Sequence, residues 1–372
     1  MTNIFESITH PTLILDEKKA RRNLESISNK IENQNILFRP HFKTHQSAKI
    51  GSWFLERGIR PITVSSVEMA TYFARHGWND ILIAFPVNLR EIDAIASLAK
   101  TTSLSLLVED LETIEQLNNH LVEEVELRVK VDVGARRSGV DWNQPQKIIQ
   151  IVDRINSSPR LKFGGLLTHA GHSYRAHGVN EVVALYAQTL ERMQSVQLAL
   201  LENGVENVRI SVGDTPTTSL VQNLGDIDEI RPGNFLFYDM QQFKIGSCSL
   251  EQIAVCVTCP IVAIHKDRDE IVVYGGAIHF SKDYYARSDG SNGYGLAVGS
   301  ASQNWDCNNI IGEVKSLSQE HGVIKCLPGK AELQKTGDLL CILPAHSCLT
   351  VQAMRTYTTL DGQIIQTLNS DC

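Results

Sequence analysis

Residues 36–45 read ILFRPHFKTH, an apolar run of strand character that empties into a loop holding Lys43 between His41 and His45. A strand that stops at a lysine flanked by two imidazoles is either an ordinary polar turn or the rim of a site with a working amine. Seven further runs of the same kind follow: PITVSS (61–66), DILIAF (80–85), LSLLVE (104–109), ELRVKVDV (126–133), LKFGGLLTH (161–169), NVRISVG (207–213) and NFLFYD (234–239). Segments with helical spacing separate them, such as VEMATYFARHG (67–77) and the long 179–204 segment, which Gly204 ends. Strands alternating with helices predict a parallel sheet. Eight such units in about 220 residues predict an α/β fold of the closed (β/α)8, TIM-barrel type. An open doubly wound sheet is the alternative, but no GxGxxG follows an early strand.

Past residue 245 the pattern changes. Strand-like runs crowd together without long amphipathic helices: QIAVCVTCPIVAIH, EIVVYGG, GVIKCL, DLLCILPAH and LTVQAMRTY. This predicts an antiparallel β domain. The expected division is a barrel over 20–245 and a β domain over 246–372, joined by residues 1–19, whose TLILD run (12–16) would pair with it.

The 372 residues are 42% hydrophobic and 21% charged, with a net charge of −7, an ordinary globular balance. That charge argues against nucleic acid and anionic membranes as partners and favours a small molecule. The N-terminus, MTNIFESITHPTL, lacks a basic region followed by an apolar one, and no apolar run nears the ~20 residues needed to span a bilayer. A cytoplasmic protein is the expectation. All eight cysteines lie at or beyond Cys248, which suggests buried thiols or metal ligands rather than a disulfide scaffold.

In a barrel of this type, functional groups gather at the C-terminal ends of the strands. Lys43 follows the first run, DVGARRSGV (132–140) the fifth, THAGHSY (168–174) the sixth and GDTPT (213–217) the seventh, while RPGNFLFYD (231–239) embraces the eighth. GDTPT and RPGN supply glycine, hydroxyls and main-chain N–H groups. Each alone reads as a turn, but together at the seventh and eighth strands they read as a phosphate cradle. A lysine across from such a cradle points to pyridoxal phosphate, with Lys43 carrying the aldehyde as a Schiff base. A solvated loop lysine is the plainer alternative. In PAHSCLT (344–350), His346 and Cys348 are two apart. In an extended segment they would face one side and could share a zinc ion, although spacing alone favours a core thiol and a hydrogen-bonded imidazole. Cys256 and Cys259, at i and i+3 in an apolar run, read as core.

Taken together, RPHFKTH, DVGARRSGV, THAGHSY, GDTPT, RPGNF, SQEHG and PAHSC, in that order, resemble the D-serine dehydratase and D-threonine aldolase family of alanine racemase-like, fold type III pyridoxal phosphate enzymes. The resemblance runs over essentially the whole chain. It implies that Lys43 binds the cofactor aldehyde and that His346 and Cys348 hold the metal. It places Arg137 near the phenolic oxygen, His169 against the pyridine ring and Arg231 near the ring nitrogen. Thr215, Gly233 and Asn234 would cradle the phosphate, with Tyr238 nearby and Tyr174 on the substrate side. It also implies a homodimer.

Members with His-x-Cys resemble dehydratases, whereas aldolases more often carry His-x-Asp. The resemblance therefore implies dehydration of D-serine or D-threo-3-hydroxyaspartate. A metal-dependent aldolase is the alternative, and a racemase or a cofactor-binding protein a more distant one. The stretch GGAIHFSKDYYARSDGSNGYG (275–295) is Gly-rich and aromatic, readable as a lid, an interface loop or plain surface turns.

Overall fold

The computed structural model describes residues 4–300, 304–368 and 370; residues 1–3, 301–303, 369, 371 and Cys372 lie outside it. The chain divides into two compact units, one formed by 27–43 and 51–233, the other by the N-terminal 26 residues, 44–50 and 234 onward.

The first unit is built on eight parallel strands: β1 (Leu37–Phe38), β2 (Ile62–Val64), β3 (Asp80–Pro86), β4 (Ser103–Val108), β5 (Val125–Asp132), β6 (Leu161–Leu167), β7 (Ile210–Val212) and β8 (Glu229–Ile230). Each pairs with its sequence neighbours, and β8 returns to β1. The ring closes where His41 bridges Thr63: Phe42 N–H donates to the Thr63 carbonyl at 2.8 Å, and Thr63 N–H to the Pro40 carbonyl at 2.9 Å. Every strand is followed in the chain by a helix: α1 (Ala48–Glu56), α2 (Val67–Arg75), α3 (Ile92–Ala99), α4 (Leu111–His120), α5 (Pro145–Asn156), α6 (Val179–Glu202), α7 (Thr215–Leu220) and α8 (Met240–Ile245). Side-chain caps start several of them: Ser66, Asp110, Asp214 and Asp239 accept from the N–H groups of Met69, Thr113, Thr217 and Gln242. The parallel strands are buried, so they read as apolar runs. Polar exceptions form a layer of their own, in which Arg39, Arg128, Ser211 and Glu229 are all buried.

In the second unit, β9 (Val255–His265), β10 (Glu270–Tyr274), β11 (Gly295–Ser300), β12 (Trp305–Leu317), β13 (His321–Cys326) and β14 (Leu339–Pro344) pair antiparallel into a closed circuit, β9-β10-β13-β12-β11-β14 and back to β9. A strand at Thr12–Leu15 joins β9 antiparallel and β15 (Thr356–Thr359) in parallel, and β16 (Ile364–Gln366) completes the sheet. Cys256, Cys259 and Cys341 are fully buried, and the seven described cysteines are free thiols. Among the described residues no helix is long and apolar enough to cross a membrane.

Two sequence expectations are corrected. NFLFYD is not the eighth strand. That strand is Glu229–Ile230, and Asn234–Leu236 forms a single helical turn whose Asn234 carbonyl accepts from the N–H groups of Phe237 and Tyr238. LTVQAMRTY is not one strand either, since helix α9 (Ser347–Met354) precedes β15. Both runs are apolar because they are buried, and burial alone does not separate a short strand from a short helix.

Candidate active site

In the barrel unit, the approach to Lys43 is fixed by the residue before it. The Phe42 ring is fully buried among Phe54, Phe73 and Trp78, with centroids 4.8–4.9 Å away. Such aromatic pairs contribute roughly 0.5–1.5 kcal/mol each beyond area burial. The anchor pins the loop while the Lys43 side chain stays exposed.

The groups around that lysine are mutually cationic. Burial, then the charges of Lys43, Arg231 and His169, push His41 well below its ordinary pKa. Burial, then Lys43 and Lys130, do the same to His169, whose Nδ1 lies 2.5 Å from the Gly213 carbonyl. A carbonyl accepts, so Nδ1 carries the proton and the neutral ring presents a bare Nε2. Lys130 is lowered to about 7 by burial, then by Arg231 and Arg137, and Asp132 and Glu109 offset this only in part. Arg231 is itself buried, which brings it down to about 10. Its Nε donates to Ser211 Oγ at 2.7 Å and its Nη2 to the Thr168 carbonyl. A Cβ at Gly213 would meet Arg231 at 2.9 Å, so only glycine admits this approach.

A surface that strips protons from its own histidines and lysine is one that an anion neutralises. The GDTPT turn adds donors. Asp214 is buried and accepts from Thr217 N–H at 2.7 Å and Ser173 Oγ at 2.9 Å, fixing Thr215 beside Tyr174. Thr215 N–H donates to Tyr174 Oη at 3.3 Å, and the Tyr174 ring lies 5.9 Å from that of His169. Thr217 is buried, with its hydroxyl beside the Asp214 carboxylate. An amine and a positive field beside a turn that admits only glycine at 213 fit a phosphorylated aldehyde. Arg137 is exposed on the loop after β5 and acts on the cluster through its charge on Lys130. Gly233 lies in the turn after β8.

The second unit holds the other four expected residues. His346 caps α9 with extended backbone, and Cys348 lies in the first helical turn rather than in a strand. The pair is still adjacent, because Cys348 is hydrogen-bonded to His346. Cys348 Sγ lies 3.3 Å from Thr44 Oγ1 and 3.6 Å from Asn234 Nδ2. The Asn234 amide donates to the sulfur, and in the contact with Thr44 either the hydroxyl or the thiol can be the donor. Asn234 Nδ2 also donates to Asp239 Oδ2 at 2.6 Å, leaving Asn234 Oδ1 buried without a hydrogen-bond partner. The Asn234 side chain is thus turned to Asp239 and Cys348. Tyr238 is buried with φ +50°, a conformation costing a bulky residue about 1–3 kcal/mol and found where function holds it.

Burial disfavours a charged His346, yet Asp283 at 2.6 Å, Cys348 and Asp239 raise it to about 11. Asp283 and Asp239 put negative charge beside the pair, and an imidazole with a deprotonated thiol would suit a borderline-soft cation. Among the described residues no three His, Cys, Asp or Glu side chains form a metal cage. Two protein ligands leave positions open for water and substrate, as catalysis requires.

The sequence reading missed Lys130, Thr44, Asp239 and Asp283. Lys130 was detectable, since Arg128, Lys130 and Asp132 alternate in β5 and alternate residues of a barrel strand share a side. Asp239, just ahead of a helix, carried the signature of a cap.

Residues 15–241 match the family model described as alanine racemase, N-terminal domain, and residues 254–360 that described as putative serine dehydratase domain. The chain is 27% identical to D-threo-3-hydroxyaspartate dehydratase from Delftia sp. (strain HT23) across 98% of each chain. It is 25% identical to D-serine dehydratase from Dictyostelium discoideum across 96% of this chain and 95% of that one. The solved Delftia enzyme superposes with a TM-score of 0.89 at 24% identity over 99% of each chain, and a cysteine-to-alanine variant of it has been solved in a metal-free form. Two matched models covering most of the length and this shared fold lead to one conclusion: the chain belongs to the alanine racemase-like, fold type III pyridoxal phosphate enzymes, in the D-serine dehydratase and D-threonine aldolase family.

Proposed function

We propose that this chain is a pyridoxal phosphate- and zinc-dependent dehydratase (ammonia-lyase) of 3-hydroxy-D-amino acids. It would convert D-serine to pyruvate and ammonia, or D-threo-3-hydroxyaspartate to oxaloacetate and ammonia. The observation that carries this reading is the His346–Cys348 pair, with His346 Nδ1 2.6 Å from Asp283 and Cys348 Sγ 3.3 Å from Thr44 Oγ1. A thiolate in that pair favours zinc, where a carboxylate would suit manganese or magnesium. The dehydratases that match this chain over nearly their whole length support dehydration, and a cysteine-to-alanine dehydratase variant solved in a metal-free form supports a metal in the family.

Lys43, Arg137, His169, Thr215, Arg231, Gly233, Asn234 and Tyr238 would hold pyridoxal phosphate, which when bound supplies the electron sink that makes a substrate α-proton removable. His346 and Cys348 would hold zinc, a Lewis acid for a departing hydroxyl. The remaining work belongs to the chain's own groups. The Lys43 amine, exposed and beside neutral imidazoles, takes the proton from Cα. His169 has committed its Nδ1 proton to the Gly213 carbonyl, so it packs and orients rather than donating there. Arg231, fixed by Ser211 and Thr168, keeps its charge at neutral pH and holds its place. Tyr174, on the substrate side, is oriented by Thr215 N–H. Loss of water from the substrate leaves an enamine that hydrolyses to the keto acid and ammonia.

The test is product analysis with D-serine, D-threo-3-hydroxyaspartate and D-threonine. Keto acid with stoichiometric ammonia supports dehydration. Glycine with an aldehyde and no ammonia makes the enzyme an aldolase. A chelator that leaves turnover intact removes the metal from the reading. The reading includes a cytoplasmic homodimer, which sedimentation of the purified protein tests for its oligomeric part.

A further inference from the structure

The Gly-rich aromatic stretch 275–295 delivers one carboxylate to the metal pair. Asp283 Oδ2 lies 2.6 Å from His346 Nδ1, although 63 residues separate them. Both ends of the delivering loop are anchored. The Phe280 carbonyl accepts from Thr350 Oγ1 in α9 at 3.3 Å. The Tyr284 carbonyl accepts from Gln241 Nε2 in α8 at 2.9 Å. Between the anchors, Ser281 takes φ +70°, a turn that a side-chain-bearing residue rarely adopts, and its Oγ accepts from Asp283 N–H at 3.2 Å. Tyr285 Oη, bonded to the Gly295 carbonyl at 3.2 Å and Glu313 at 3.0 Å, holds the far side. A plain surface turn has no need of so many ties around one half-exposed aspartate.

We propose that Asp283 is the positioning residue of the metal site. By accepting the Nδ1 proton of His346 it fixes the ring's tautomer and angle, so that the Nε2 lone pair faces the ion. The carboxylate also makes that lone pair more basic. The 275–295 stretch is thereby a support for the metal site. This rests on the reading of His346 and Cys348 as metal ligands, and the test separates the two.

Zinc affinity of the purified cofactor-loaded protein is measured by competition with a chromogenic chelator for wild type, Asp283→Ala, Asp283→Asn and the control His346→Ala. Circular dichroism and the cofactor's visible absorbance report the fold. Outer-shell partners of this kind are worth about 10–100-fold in metal affinity. Asp283→Ala is expected to weaken zinc by that factor with fold and absorbance unchanged. Asp283→Asn, which keeps an acceptor oxygen and loses the charge, weakens it less. In the cobalt-substituted protein the ligand-field spectrum shifts with Asp283→Ala, a change that a loop acting only in folding would not produce. Wild-type affinity in both Asp283 variants, with His346→Ala weakened, overturns the assignment and leaves the metal reading standing. Wild-type affinity in His346→Ala removes the metal reading and this proposal with it. Should the alanine variant not fold, the asparagine variant decides alone, since wild-type affinity there overturns the role.

Discussion

Thr44 Oγ1 lies 3.3 Å from Cys348 Sγ across 304 residues of sequence. The residue after the lysine loop thus touches the thiol of the late His-x-Cys pair. A hydroxyl there can donate to the sulfur once it is deprotonated, as a metal-binding thiol has to be. Thr44→Val keeps the shape and removes the donor, so zinc affinity should fall several-fold and ammonia release with it. Cys348→Ala removes the proposed ligand, and activity should fall by more than about 100-fold with the cofactor's absorbance retained. Cys348→Asp exchanges sulfur for oxygen, and the preferred activating ion should move from zinc towards manganese. Metal content and activity across a panel of divalent ions check all three. Full activity of a metal-free Cys348→Ala protein contradicts the account.

Lys43 is exposed at the end of β1 while the residue before it is locked in an aromatic cage. Borohydride reduction of the holoprotein, followed by peptide mapping, should place the cofactor label on the peptide containing Lys43. Lys43→Ala should lose the label and about 10²–10⁴-fold of activity, the usual worth of a positioned acid–base group. A label on another lysine, Lys130 included, relocates the chemistry.

The barrel's polar layer sets an acid limit on stability. Glu229 is buried and accepts from Arg39 Nε at 2.6 Å, Arg128 Nη1 at 2.8 Å and Ser211 Oγ at 2.6 Å. Burial alone would raise its pKa, but Arg128, Arg39 and these bonds bring it from 4.5 down to about 2. A folded-state value below the unfolded one means the stabilisation is complete above about pH 4.5 and is lost as the pH falls towards 2. Glu229→Gln leaves two buried guanidinium groups short of a counter-charge and should cost about 3–5 kcal/mol at neutral pH. Urea midpoints of both proteins between pH 6 and roughly pH 2 should converge as the acid removes what the mutation already removed. Curves that stay parallel would show that Glu229 is not the group responsible.

The barrel was legible because its strands repeat. Seven of the eight apolar runs coincide with barrel strands, with helical segments between, and the strand-end rule then offers Lys43, His169 and Thr215 as candidates. Residues 234–239 misled because Phe235 and Phe237 are apolar for packing reasons while the backbone turns on the Asn234 carbonyl. His346 and Cys348 were singled out through an argument about extended backbone that holds only in part: His346, at the N-cap, is extended (φ −136°, ψ 107°), whereas Cys348 already lies in the helix. Asp283 could not be found. Its partner is far along the chain, in a segment with no periodicity, and a single carboxylate in a Gly-rich loop carries no spacing signal.

Arg231 reaches the barrel mouth through a relay: its Nε donates to Ser211 Oγ at 2.7 Å, and Ser211 Oγ donates to Glu229 Oε1 at 2.6 Å. Ser211 is therefore the joint between the ion-pair layer and the arginine expected near the cofactor ring. Ser211→Ala breaks both bonds and leaves a buried N–H donor without its acceptor, a cost of about 1–3 kcal/mol in stability. If the relay also fixes the guanidinium against the ring, the bound cofactor's absorbance maximum should shift, and kcat/KM should fall about tenfold, equivalent to about 1.4 kcal/mol of lost transition-state stabilisation. Most of that loss should appear in kcat, because the GDTPT turn, proposed to bind the phosphate, is untouched. A variant that is less stable yet spectrally and kinetically identical to wild type would confine Ser211 to the fold and separate Arg231 from the chemistry.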